Sequence, residues 1–142
     1  LDSPSIVSRA AEILSARKSL PQEIGNQLAP LVARWAPRRS QRDCDLAAIY
    51  LTKAALSTQS PAARRVVLEL LDATNDAQVI AMLMDELRLS PGDRDWLYTI
   101  RGHIEAAIPR AANDKYAAQT SKVAIDWLES RIKHVEDIDA AP

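Results

Sequence analysis

A chain of 142 residues with 47% hydrophobic and 26% charged side chains has the size and balance of one globular core, which excludes disorder and a fibrous architecture. Its net charge of −1 withholds the overall electrostatic pull of a dedicated nucleic-acid binder, so any basic surface must be local. The longest strongly apolar run, residues 79–84, is far short of the ~20 residues that cross a bilayer. A lone cysteine, Cys44, and the lack of a basic segment followed by an apolar one point to a reducing cytoplasm.

With no Phe and only 4% aromatic residues, the core must be filled by Leu, Ile, Val and Ala, with Trp35, Trp96 and Trp127 as its bulky members. The first residue is Leu1 rather than Met, from which a piece excised from a longer chain is expected.

Helical periodicity runs nearly end to end. Ile6, Val7, Ala10, Ile13 and Leu14 fall on one face of a first helix. Ser3 before Pro4 is a start signal, because a serine oxygen accepts a free backbone N–H and proline needs no donor there. The same pair recurs at Ser60 with Pro61 and at Ser90 with Pro91, where Asp93 adds a capping-box acid. Ile24, Leu28, Leu31, Val32 and Trp35 mark a second helix, bent at Pro30 and ended before Pro37.

A third helix is expected from about Asp43 to Thr58 through Leu46, Ile49, Tyr50 and Ala54. Val66, Val67, Leu70 and Leu71 give a fourth. Val79, Ile80, Leu83, Met84 and Leu87 give a fifth, capped by Asn75 or Asp76. Trp96, Leu97, Ile100, Ile104, Ala107 and Ile108 make a sixth that stops near Pro109. The last runs from Asn113 or Asp114 through Tyr116, Val123, Trp127, Leu128, Ile132 and Val135, with residues 138–142 frayed. Leu28, Leu31, Leu70, Leu83, Ile100, Ile104 and Leu128 are the expected core centres.

With three glycines and no period-two alternation, strands are not expected. The pattern predicts an all-α domain spanning residues 1–142: about seven antiparallel helices packed as a compact bundle or a short right-handed helical superhelix. Ser60, Pro61, Arg64 and Val67 align with Ser90, Pro91, Arg94 and Leu97, too few matches to define a repeat.

Specific chemistries lack their residues. His103, His134 and Cys44 do not converge at metal-ligand spacings, so neither a metal nor a cofactor is expected. His103 reads as a boundary residue of helix six. Cys44, between Asp43 and Asp45, reads as a small, partly buried helix residue. Asp85, Glu86, Asp126 and Glu129 fit a solvated helix face better than an acid–base pair. Gly25, Gly92 and Gly102 stand singly, outside any phosphate-binding pattern.

One local feature departs from this background. Arg34, Arg38, Arg39 and Arg42 surround Trp35 and Pro37, with Arg64 and Arg65 expected nearby. Guanidinium forks onto phosphate or carboxylate, which suits an acidic protein surface or nucleic acid. The leading expectation is a non-catalytic interaction (adaptor) domain that binds a protein or a neighbouring domain through an apolar groove, with Met82 and Met84 as adaptable lining. A nucleic-acid module using the arginine turn comes second. A small helical enzyme whose site the sequence does not reveal comes third.

Overall fold

The computed structural model describes residues 3–140, of which 81% are helical, with no strand among them. The elements in order are α1 (Pro4–Ser15), α2 (Gln22–Trp35), a 3-10 turn (Ala36–Arg38), α3 (Asp45–Ser57), α4 (Pro61–Ala73), α5 (Ala77–Leu89), α6 (Arg94–Ala111) and α7 (Lys115–Ala140).

Most starts follow from local capping chemistry. Ser60 Oγ accepts from Ala63 N at 3.3 Å, Asp76 Oδ1 from Gln78 N at 2.9 Å and Val79 N at 3.2 Å, and Asp114 Oδ1 from Ala117 N at 2.8 Å. Each satisfies donors that the first turn of a helix leaves free. Pro37 ends α2 as expected, turning the chain through the 3-10 segment. α3 begins at Asp45 rather than Asp43, because Asp43 takes a left-handed conformation (φ 62°) that no helix continues.

Four expectations need correction. Ser3 precedes α1 without capping it; its hydroxyl pairs instead with that of Ser5 at 3.0 Å, and Pro4 starts the helix by its fixed φ. Ser90 does not open α6. It closes α5, donating to Leu87 O at 2.6 Å and accepting from the Trp96 indole at 2.9 Å, so Asp93 becomes the cap, accepting from Trp96 N at 3.0 Å.

α6 also runs past Pro109 to Ala111. A proline in the last turn removes one hydrogen bond only, and Arg110 anchors that turn by donating to Leu71 O at 2.6 Å and to Thr74 O. Finally, α7 stays helical to Ala140 rather than fraying after Asp137; Asp139 pairs with Arg94 at 3.5 Å and Tyr98 donates to Glu136. Residues 141–142 of the expected tail lie outside the described residues.

The packing order follows the chain. Each helix packs on those one or two places away in sequence, and no substantial packing joins helices further apart among the described residues. α1, α3, α5 and α7 thereby form one row and α2, α4 and α6 a second, a compact all-α bundle with the nearest-neighbour character of stacked-helix proteins. Helices in mid-row are the most enclosed. α3 buries Ala47, Ala48, Ala54 and Ala55 completely, and α5 buries Val79, Ile80, Leu83, Met84 and Leu87, so small side chains on α3 let its neighbours approach closely.

Of the expected core, Leu28, Leu83, Ile100, Ile104 and Leu128 are buried and Leu70 is half-buried, whereas Leu31 and Trp127 are 40% and 47% exposed. α2 turns Gly25, Leu28, Ala29, Val32 and Trp35 inward, which leaves Leu31 on the rim. At Gly25 the helix sits on the turn between α3 and α4: an added Cβ would run into Thr58 Oγ1 and Ser60 Cβ.

Candidate functional site

The arginines of the turn take separate contacts. Trp35 is buried at 1% exposure with its Nε1 unpartnered, and its ring carries the Arg34 and Arg38 guanidiniums at 5.7 and 5.2 Å from the centroid. These three residues are brought together, the tryptophan serving as a packed platform rather than an exposed stacking surface. Arg42 extends into solvent beside Asp43 at 3.9 Å, and Arg65 lies exposed on α4.

Arg64 belongs elsewhere. It stacks on the Trp96 ring at 4.3 Å and donates to Pro91 O at 3.1 Å. Burial lowers its pKa, with Asp93 opposing. It therefore ties α4 to the α5–α6 connection.

Arg39 faces inward. It lines a cavity of about 380 Å³ whose walls include Ile49 of α3, Gln78, Met82, Asp85 and Glu86 of α5, and Asp114 and Tyr116 at the start of α7. Glu86 is the perturbed group there. Burial, with the neighbouring Asp85 carboxylate second, raises its pKa to about 7 against the pull of Lys53 and Arg88. Asp85 is instead paired with Arg88 at 2.8 Å, and Asp114 is occupied in capping α7. The expectation that Glu86 lies on a solvated face is thus corrected. The available signal was the unbroken apolar run from Val79 to Met84, which marks a helix apolar on all sides and leaves few positions on it for a solvated acid. The methionines divide as well: Met84 is core and Met82 lines the cavity.

On the opposite row, His103 of α6 holds Asp72 of α4 through Nδ1 at 2.9 Å in a shallow groove. The pairing joins two helices and was not legible from the boundary position of His103. Thr99, one turn earlier, donates to Asp95 O at 2.9 Å, and Arg110 is committed to backbone carbonyls. The pair is therefore an interhelix clasp with no hydroxyl nucleophile aligned on it.

An aligned series of exposed apolar side chains lies on α7. Tyr116, Val123, Trp127 and Ile138 are 70%, 41%, 47% and 59% exposed. At about 100° per residue their positions lie within about 60° of one another, a single stripe along the helix. Arg88 covers one side of Trp127 at 5.2 Å, and Arg131 donates to Arg88 O at 2.7 Å, which holds the Trp127 margin against α5.

No family model, curated protein or solved structure matches the chain. The function must therefore be argued from these side chains. Among the described residues no group of three or more His, Cys, Asp or Glu is placed to hold a metal ion, and no helix is long and apolar enough to cross a membrane. The α7 stripe is an aligned apolar surface that no other described helix covers.

Proposed function

We propose that this chain is a non-catalytic helical protein–protein interaction domain, acting in a reducing cytoplasm, and that it docks its partner on the outer face of α7. The exposed stripe of Tyr116, Val123, Trp127 and Ile138 carries this reading. Scattered apolar residues on a surface are ordinary, but an aligned series containing Tyr and Trp has the composition of an interface core. The separate placement of the arginines weighs against the nucleic-acid reading, since Trp35 is buried, Arg64 is held by Trp96 and Pro91 O, and Arg39 turns into the cavity.

Photo-crosslinking in extract of the native source tests it, with the reactive side chain placed at Trp127 or Ile138 and, as the control face, at Arg65. Discrete protein adducts from the α7 positions only, resistant to nuclease, are expected. Adducts to nucleic acid, or equal labelling from Arg65, would overturn the proposal.

A further inference from the structure

We propose that the cavity lined by Arg39 and Glu86 binds a small zwitterion, one that presents its carboxylate to Arg39 and its ammonium to Glu86 and carries a short aliphatic body. The walls come from the arginine turn, α3, α5 and the start of α7 and enclose about 380 Å³, within the ~300–1,000 Å³ of small-molecule sites. The site is independent of the α7 docking surface, although Tyr116 borders both.

Two charges in this cavity lack partners. Three carboxylates line it, but Asp85 is paired with Arg88 at 2.8 Å and Asp114 accepts from Ala117 N at 2.8 Å. The first is thereby compensated by a guanidinium and the second by the positive end of α7. Glu86 has no hydrogen bond or ion pair through its side chain among the described residues. Lys53 and Arg88 attract its carboxylate without forming an ion pair, and burial opposes them.

Arg39 is the counterpart. Its guanidinium makes no ion pair or hydrogen bond with any described residue, and its Nε is buried without a partner. Opposite charges that share a partly enclosed space gain by pairing, yet Arg39 and Glu86 stand too far apart to form an ion pair. Each therefore keeps its charge for a guest.

The guest's chemistry follows from the two groups. A guanidinium forks onto a carboxylate, and a carboxylate accepts from an ammonium. A purely anionic guest would meet the Asp85, Glu86 and Asp114 carboxylates, and a purely cationic one would meet Arg39. A molecule with one group of each sign satisfies both. Ile49, Ala81 and Met82 give an aliphatic body an apolar wall, and the flexible Met82 side chain adapts to its shape.

NMR titration of the isotope-labelled full chain tests this at about pH 8, where the Glu86 carboxyl, held up to about 7 by burial, is ionised. Far-UV circular dichroism is the folding control. The probes are L-leucine, whose charged groups share one carbon, and 5-aminopentanoate, whose charged groups end a chain. Saturable binding of at least one is expected, with a dissociation constant between about 0.1 mM and about 10 mM, moving the amide signals of Ile49, Gln78, Met82 and Tyr116. The probe that binds reports the separation of the two groups it spans.

The amide of that probe lacks the carboxylate and its N-acetyl derivative lacks the ammonium; each should bind at least about tenfold more weakly. Arg39→Gln should weaken the zwitterion at least about tenfold and leave the amide unaffected, whereas Glu86→Gln should weaken it likewise and leave the N-acetyl derivative unaffected. A general loosening of the cavity would not give this crossed pattern. No saturable shift from either probe up to about 50 mM, shifts confined to another part of the chain, equal binding of the zwitterion and its two derivatives, or equal loss of all guests in the variants overturns the inference.

Discussion

Glu86 supplies the sharpest test of the internal electrostatics. Its pKa rises from the usual 4.5 to about 7 in the folded chain, burial being the main cause and Asp85 the second. Below about pH 4.5 the carboxyl is protonated in both folded and unfolded states and costs nothing. As the pH climbs, the unfolded chain ionises first, so the stability present in acid is lost progressively through about pH 7 and then levels off at about 3 kcal/mol.

Glu86→Gln keeps the shape and removes the titration. The variant should match the wild type near pH 4 and exceed it by about 3 kcal/mol near pH 8.5, a shift of about 1–2 M in the urea midpoint for a chain of this size. Urea titrations of both proteins across that range measure the difference of differences, in which every other ionisable group cancels. A gap that stays constant with pH, or a Gln variant less stable than wild type at pH 8.5, would refute the assignment of a buried, underpaired carboxylate beside the cavity.

Gly25→Ala should destabilise by about 1–3 kcal/mol or more, because the new methyl meets Thr58 and Ser60 across the α3–α4 turn; a loss below about 0.5 kcal/mol in denaturant titration would mean that this approach is not tight. Ser90→Ala should cost about 1–3 kcal/mol by leaving the buried Trp96 indole N–H without its acceptor, and the same titration, read by tryptophan fluorescence, checks it. Arg38→Ala with Arg39→Ala and Arg42→Ala should change little in nucleic-acid binding, since the wild type is expected to bind no tighter than about 1 µM at about 0.15 M salt. Sub-micromolar binding lost in the triple variant, read by fluorescence anisotropy, would reverse that ranking.

What the sequence could reveal depended on how local the causes were. Asp76 and Asp114 cap helices through donors two or three residues on, so their roles follow from the string of residues alone. Ser90 carries the same signature and fails, because its hydroxyl is taken by Leu87 behind it and by an indole six residues ahead. The fate of Arg39 and Glu86 was set by distant chain: their cavity exists only where α3, α5 and the start of α7 meet. Periodicity found the apolar stripes but not which helix would cover them, and Leu31 and Trp127 fell on the uncovered side.

α7 shows why this last distinction bears on function. Its buried side consists of Ala117, Ser121, Ala124, Leu128 and Ile132, while its exposed side carries Tyr116, Val123, Trp127 and Ile138. Folding alone demands one apolar face, and the transfer of a large side chain from water is worth more than that of a small one. Here Ala117, Ser121 and Ala124 lie inside beside Leu128 and Ile132, where they let α7 settle closely against α5 and α6, while Tyr116 and Trp127 stay at the surface. That division leaves Tyr116, Val123, Trp127 and Ile138 on a face that no other described helix covers, and their apolar area is what the proposed docking would bury.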